Sequence, residues 1–189
     1  MSAIIHAFHI NKTGKAAQLS PENYSLRPKN NGFVWLHFDR NSPDTEVFFD
    51  DDDTIDKIAT RNLLAEDSRP RTILHEGQIL LNLRGVNLHP GSDPEDMVGI
   101  RFFVQQNRIV SIEKRALQAT TDIAERLLSR STPLTPGGFI AYFANAICDR
   151  MTPTITDLNE QVDELEEKID DIDADKSRGT LSKLRRDAI

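Results

Sequence analysis

Cysteine is nearly absent: the 189 residues contain one, Cys148. A single thiol cannot form an internal disulfide, so the fold must rest on a packed core, and a reducing compartment is expected. Long hydrophobic runs are missing too. No stretch approaches the ~18 consecutive apolar residues that a membrane-crossing helix needs. The segment Met1-Ser2-Ala3-Ile4-Ile5-His6 has no basic start and no long apolar run, so a secretory signal is not expected. Glycine and proline number nine each, too few for a fibrous or low-complexity chain. The sequence holds no G-x-S-x-G, H-E-x-x-H, P-loop or G-x-G-x-x-G pattern, and an enzyme is not expected. Gly137-Gly138 could cradle an anion on free N–H groups, but no strand directly precedes it, so it reads as a helix start. Positive charge is in deficit: 23 Lys and Arg stand against 30 Asp and Glu, a net −7. Binding duplex nucleic acid needs a basic face, so the charge argues against that partner, whereas cations fit.

What is present is ordinary for a globular domain, with 38% hydrophobic and 28% charged residues. A chain of this length can bury about 70% of its unfolded surface. Ala3 to Ile10, Ala16 to Leu19 and Phe33 to Phe38 carry the β-branched and aromatic residues that suit a pleated sheet. Arg71 to His75 and Gln78 to Val86 flank Glu76-Gly77, which predicts a tight hairpin. Met97 to Val104 and Arg108 to Lys114 flank Gln105-Gln106-Asn107, which predicts another. Together these are about seven strands. A helix is expected from a cap at Asp53 or Thr54 to about Ala65, a second over Leu117 to Leu128 and a third over Gly138 to Met151. Phe139, Phe143 and Ile147 share one face of the third. Pro153 should mark its boundary or a kink.

The C-terminal segment is a different object. From Met151 onward, 11 Asp and Glu accompany 6 Lys and Arg, so this short stretch holds most of the net charge. Ile155, Leu158, Val162, Leu165, Ile169 and Ile172 recur at alternating spacings of three and four, an a/d heptad seam. The residues between are mostly acidic. Gly179 breaks this arm, and Thr180 with Leu181, Leu184 and basic Lys183, Arg185 and Arg186 starts a second. That second arm is too short to cover the first, at about 1.5 Å per residue. A chain cut inside a longer helix is therefore expected.

The chemistry-bearing residues each have a plain structural reading beside a functional one. Asp50-Asp51-Asp52-Asp53 could hold a hydrated hard cation, but such runs are commonly solvated, here at a helix start where the dipole favours negative charge. Acids of the arm, among them Asp163, Glu167, Asp170 and Asp171, would concentrate divalent cations if several copies faced one another, and would also keep the chain soluble. The candidate metal ligands are thus Asp50, Asp51 and Asp52 in the body and those four residues in the arm. The five histidines give no close-spaced ligand pair: His6 and His9 fall on opposite strand faces, and His37 sits in an apolar strand. Cys148 has no histidine at helical spacing, so a zinc site inside one chain is not expected. Arg69, Arg71, Arg84, Arg101, Arg108, Lys114 and Arg115 lie on or beside strands, where pairing with surface acids is the ordinary fate.

Several segments, in order and spacing, resemble the cytoplasmic N-terminal domain of the CorA family of metal-ion transporters, in its zinc-transporter (ZntB-like) branch. They are Phe33 to Asp39, Leu63 to Arg71 with its Glu-Asp-Ser-Arg-Pro-Arg, Leu80 to Arg84, Arg101 to Val104, Arg108 to Ser111, Gly137 to Phe139 and Arg178 to Arg186. The resemblance implies an α/β (α+β) fold: a central mixed sheet of about seven strands between helical layers over residues 1–150. An acidic helical hairpin arm (151–178) and the start of a stalk helix (179–189) would follow, with the transmembrane part absent. It also implies a homopentamer at the cytoplasmic face of the bacterial inner membrane. The domain would regulate and assemble a zinc or magnesium transporter, without a cofactor and without nucleic acid. One departure is visible: magnesium-sensing members carry an acid upstream of the Arg-Pro pair where this chain has Asn62. Gly85-Val86-Asn87 mimics a pore signature of the family but ends a soluble strand. The rival reading is a stand-alone soluble scaffold that dimerises through its heptad seam.

Overall fold

The computed structural model describes residues 3–25, 27–28, 32–66, 69–93, 96–129 and 135–169, with side chains to residue 164. Seven strands form one sheet: β1 (Ile4–Ile10), β2 (Ala16–Gln18), β3 (Phe33–Asp39), β4 (Arg71–His75), β5 (Gln78–Gly85), β6 (Val98–Val104) and β7 (Arg108–Glu113). Their order is β2-β1-β3-β7-β6-β5-β4. β3 and β7 run parallel at the centre, and every other neighbouring pair is antiparallel. The strand count is the one read from the pattern, and the mixed sheet is the one that the resemblance implies. Both hairpins lie where the turn residues put them. Glu76 and Gly77 take φ of 49° and 76°, the left-handed pair that a two-residue turn between twisted strands requires.

Helices cover both faces. On one side α1 (Pro43–Asp51), α2 (Lys57–Leu64) and the turn between them bury Phe49, Ala59, Leu63 and Ile55 against Val34, Leu36, Phe38, Val110 and Ile112. On the other, α3 (Gln118–Ser129) and the start of α4 (Pro136–Ile169) bury Ile123, Leu127, Phe139, Phe143 and Ile147 against Phe33, Trp35, Ile100, Phe102 and Ile109. The central strands are covered twice, which is why β3 and β7 read as continuous apolar runs rather than alternating ones.

Three expectations need correction. The sequence reading places one helix between β3 and β4, capped by Asp53 or Thr54. There are two, and α2 starts at Lys57 with Asp56 as its cap: Asp56 Oδ1 accepts from the amides of Ile58 and Ala59, each at 2.8 Å. α1 was legible in Ser42-Pro43, a proline at the first helical position with Asp44 and Glu46 in the first turn. The acidic run therefore ends α1 instead of starting a helix. Thirdly, α4 does not stop at Met151 but continues through Pro153 to Ile169. A proline lacks only its own N–H, so one rung of the ladder is lost while neighbouring turns persist. Thr152 and Thr156, on either side of it, donate their hydroxyls to the carbonyls of Cys148 and Thr152.

Gly85 owes its place to packing. A Cβ there would lie 2.8 Å from Leu117 Cδ1 and 3.2 Å from Ile147 Cγ2, where α3 and α4 press on β5. Gly32 is stricter: at φ 96° its Cβ would fall 1.8 Å from the Ile10 carbonyl oxygen.

Candidate functional site

The acidic run does not act as one unit. Asp50, Asp51 and Asp53 are exposed, while Asp52 turns inward. Four carboxylates at a helix C-terminus oppose the dipole, so a compensating positive charge is needed. Two arginines supply it. Arg108, the fully buried first residue of β7, donates from Nη1 to Asp52 Oδ2 at 2.6 Å, and Arg27 donates from Nη2 to the same oxygen at 2.8 Å. Asp52 Oδ1 accepts from the Thr54 hydroxyl at 2.6 Å and its amide at 3.1 Å. Burial alone would raise the Asp52 carboxyl. The Thr54 hydroxyl, the charge and hydrogen bond of Arg108 and the Thr54 amide outweigh it and hold the group at about 2. Desolvation brings Arg108 down to about 10, opposed by Asp52. Its guanidinium carbon sits 6.0 Å from the Phe48 ring centroid, and its Nε and Nη2 have no hydrogen-bond partner among the described residues. Asp52 is thus the counter-ion of a buried arginine. A cleft of about 380 Å³ opens over this pair, lined by Ser25, Arg27, Phe48, Thr54 and the three acids at 51 to 53.

The opposite face carries a polar spine that spacing does not reveal. The parallel register sets Trp35 opposite Ile109 and His37 opposite Ser111. Ser111 Oγ accepts from Trp35 Nε1 at 2.8 Å and lies 2.8 Å from His37 Nδ1. His37 Nε2 is 3.3 Å from Glu113 Oε1, and Glu113 Oε2 accepts from the Leu117 amide and the Thr120 hydroxyl at the start of α3. The His6 ring stacks on His37 with centroids 5.9 Å apart. Burial, then the neighbouring His37, lowers the His6 pKa, with Glu113 opposing. The spine joins β1, β3 and β7 to α3 as a structural element.

A third cluster lies at the sheet edge. His75 ends β4, the outermost strand, and its Nε2 is 2.7 Å from Asp56 Oδ2 at the start of α2. Glu76 follows in the turn. Each of Asp56, His75 and Glu76 offers one ligand atom, and these atoms lie within 4.8 Å of one another. Among the described residues this is the one group of three or more His, Cys, Asp or Glu side chains that converges so. Burial would raise the Asp56 carboxyl, but the Ala59 amide, His75 and the Ile58 amide lower it on balance. None of these three residues is among those singled out from sequence, because Asp56 and His75 are 19 positions apart and only hairpin and helix packing joins them.

The other predicted positions are dispersed. Asp163 is exposed on α4. The Glu167 side chain, and Asp170 and Asp171 entirely, lie outside the described residues. Cys148 is exposed on α4, and His89 Nε2 is 2.8 Å from the Ala116 carbonyl. Of the basic residues on or beside strands, Arg115 pairs with Asp96 at the surface as expected, whereas Arg108 pairs with Asp52 from a fully buried position.

The α4 helix changes character along its length. Phe139 and Phe143 are fully buried, yet Ile155 is 50% and Val162 40% exposed. Ile155 and Val162 of the heptad seam are therefore left uncovered by the described chain, flanked by exposed Asp157, Glu160, Asp163 and Glu164, and Leu158 between them is half-buried; the Leu165 and Ile169 side chains and Ile172 lie outside the described residues.

Comparison with known proteins places these features. The chain is 36% identical over 155 residues to the divalent cation transporter CmaX of Pseudomonas aeruginosa, an alignment covering 81% of this chain and 47% of that protein. It superposes on the full-length CmaX structure with a TM-score of 0.82 at 29% identity, covering 97% of this chain and 59% of the other. The ZntB cytoplasmic domain from Vibrio parahaemolyticus shares the fold, with a TM-score of 0.79 at 22% identity over 98% of this chain and 75% of that one. The chain spans about half the length of the curated relative it matches. The profile of the CorA-like Mg2+ transporter proteins matches residues 30–189, and on that match the chain belongs to the CorA family.

Proposed function

We propose that this chain is the cytoplasmic regulatory and assembly part of a membrane transporter for divalent cations, zinc or magnesium, working as a ring of five subunits at the inner membrane. One observation carries the reading: the sequence likeness to CmaX covers 81% of the chain and the likeness in fold covers 97% of it. In this reading residues 1–150 form the body, 151–178 the acidic arm and 179–189 the beginning of a stalk. The body would order the subunits, and the acids of the arm, repeated around the ring, would raise the local concentration of divalent cations. Its work would be binding rather than bond chemistry, in keeping with a family of transporters. The stand-alone scaffold is disfavoured by the same likeness. Two tests apply. The native reading frame past Ile189 should encode two apolar stretches of about 20 residues each. The complete protein in liposomes should move zinc or magnesium, read by an entrapped indicator dye. An immediate stop codon, or a tight vesicle with no cation flux, would overturn the proposal.

A further inference from the structure

We infer that Asp56, His75 and Glu76 form a zinc-binding site within a single subunit, at the edge of the sheet between the start of α2 and the β4–β5 turn. The site would go beyond the transport reading, since it needs neither a neighbouring subunit nor a membrane.

Three observations support it. The donor set is mixed, one imidazole nitrogen and two carboxylate oxygens, all within 4.8 Å. Zinc takes such N/O sets at about 2.0–2.2 Å, whereas magnesium favours oxygen ligands in an octahedron, so the imidazole selects a borderline cation. The supporting shell is also in place. Asp56 Oδ1 is held by the amides of Ile58 and Ala59, which leaves Oδ2 facing His75 at 2.7 Å. At tetrahedral zinc the ligand atoms would stand about 3.3 Å apart, given bond lengths near 2.0–2.2 Å. The Asp56–His75 pair needs only to open slightly, and Glu76 to close in. Thirdly, the side chains are reachable: His75 is 16% and Asp56 41% exposed. An entering ion therefore meets the cluster from solvent, with water completing its shell.

The test uses the chain itself, titrated with zinc chloride in a calorimeter in a non-chelating buffer, and with cobalt chloride as a spectroscopic probe. Wild type should bind one zinc ion at this site, and cobalt should give visible absorption bands of a low-coordinate N/O site. His75→Gln should lower zinc affinity by about 100-fold and abolish those bands, and Glu76→Gln should lower affinity by about tenfold. Asp56→Asn is informative only with a melting curve, since Asp56 also caps α2; Glu76→Gln is free of that role. Zinc binding unchanged in both His75→Gln and Glu76→Gln, no zinc binding at all, or magnesium binding as tightly as zinc would each overturn the inference. Because no transport is measured, its failure would leave the transport reading standing, and the reverse holds too.

Discussion

The two halves of α4 share one helix and each carries an apolar stripe, yet among the described residues only the first is covered. Phe139, Phe143 and Ile147 lock into the aromatic layer of β3 and β6, with the Phe143 ring 5.0 Å from Phe102 and 6.2 Å from Trp35. Past Pro153 a stripe at alternating three- and four-residue spacing presents Ile155 and Val162 half-exposed amid acids. Periodicity fixes which residues share a face, but burial depends on what that face meets. The difference teaches that the body is stabilised internally, while the arm is shaped for a surface outside the described chain.

Substitutions can sharpen or break that contrast. The largest effect is expected in the body. Phe143→Ala should lower unfolding free energy by about 3–5 kcal/mol, measured by denaturant titration, because a buried ring leaves a cavity. A loss as small as that of a surface change would mean the first half is no better packed than the second. Asp52→Asn should cost about 3–5 kcal/mol near neutral pH, since it strands the buried Arg108 charge.

That ion pair also sets a pH signature. The Asp52 carboxyl lies at about 2 in the fold against an ordinary 3.8. A depressed carboxylate contributes its full stability above the unfolded value and loses it as pH falls through the folded one. The gap between wild type and Asp52→Asn should therefore narrow as pH drops from about 4 to about 2. A gap independent of pH would show that Asp52 acts by shape alone.

Gly85→Val should cost about 1–3 kcal/mol through overpacking against Leu117 and Ile147. The smallest effect belongs to the arm. Ile155→Ala and Val162→Ala should each change the unfolding free energy of this chain by less than about 0.5 kcal/mol. A drop as large as that of Phe143→Ala would place the second half under cover and end the comparison.

Much of the body was readable residue by residue. Glu76-Gly77 and Gln105-Gln106-Asn107 marked hairpins because turn chemistry is local. Phe33 to Phe38 marked a strand because β-branched and aromatic residues suit a pleat. The boundary at Pro153 and the single helix before β4 were misjudged for an equally local reason: both weigh a breaker or a cap in isolation, and tertiary packing overrides such weak preferences. Asp52 looked like one acid of four because its partners, Arg27 and Arg108, are 25 and 56 positions away.

The sequence alone determined the strands, their turns, the excess of negative charge and the seam along α4, since these follow from short-range sterics and from the spacing of side chains. Tertiary structure alone decided which carboxylate meets Arg108, that His6, His37 and Ser111 share one buried spine, and that Asp56 meets His75 across the sheet edge. Such pairings depend on strand register and helix placement, which are set by how the whole core closes and are written in no single segment.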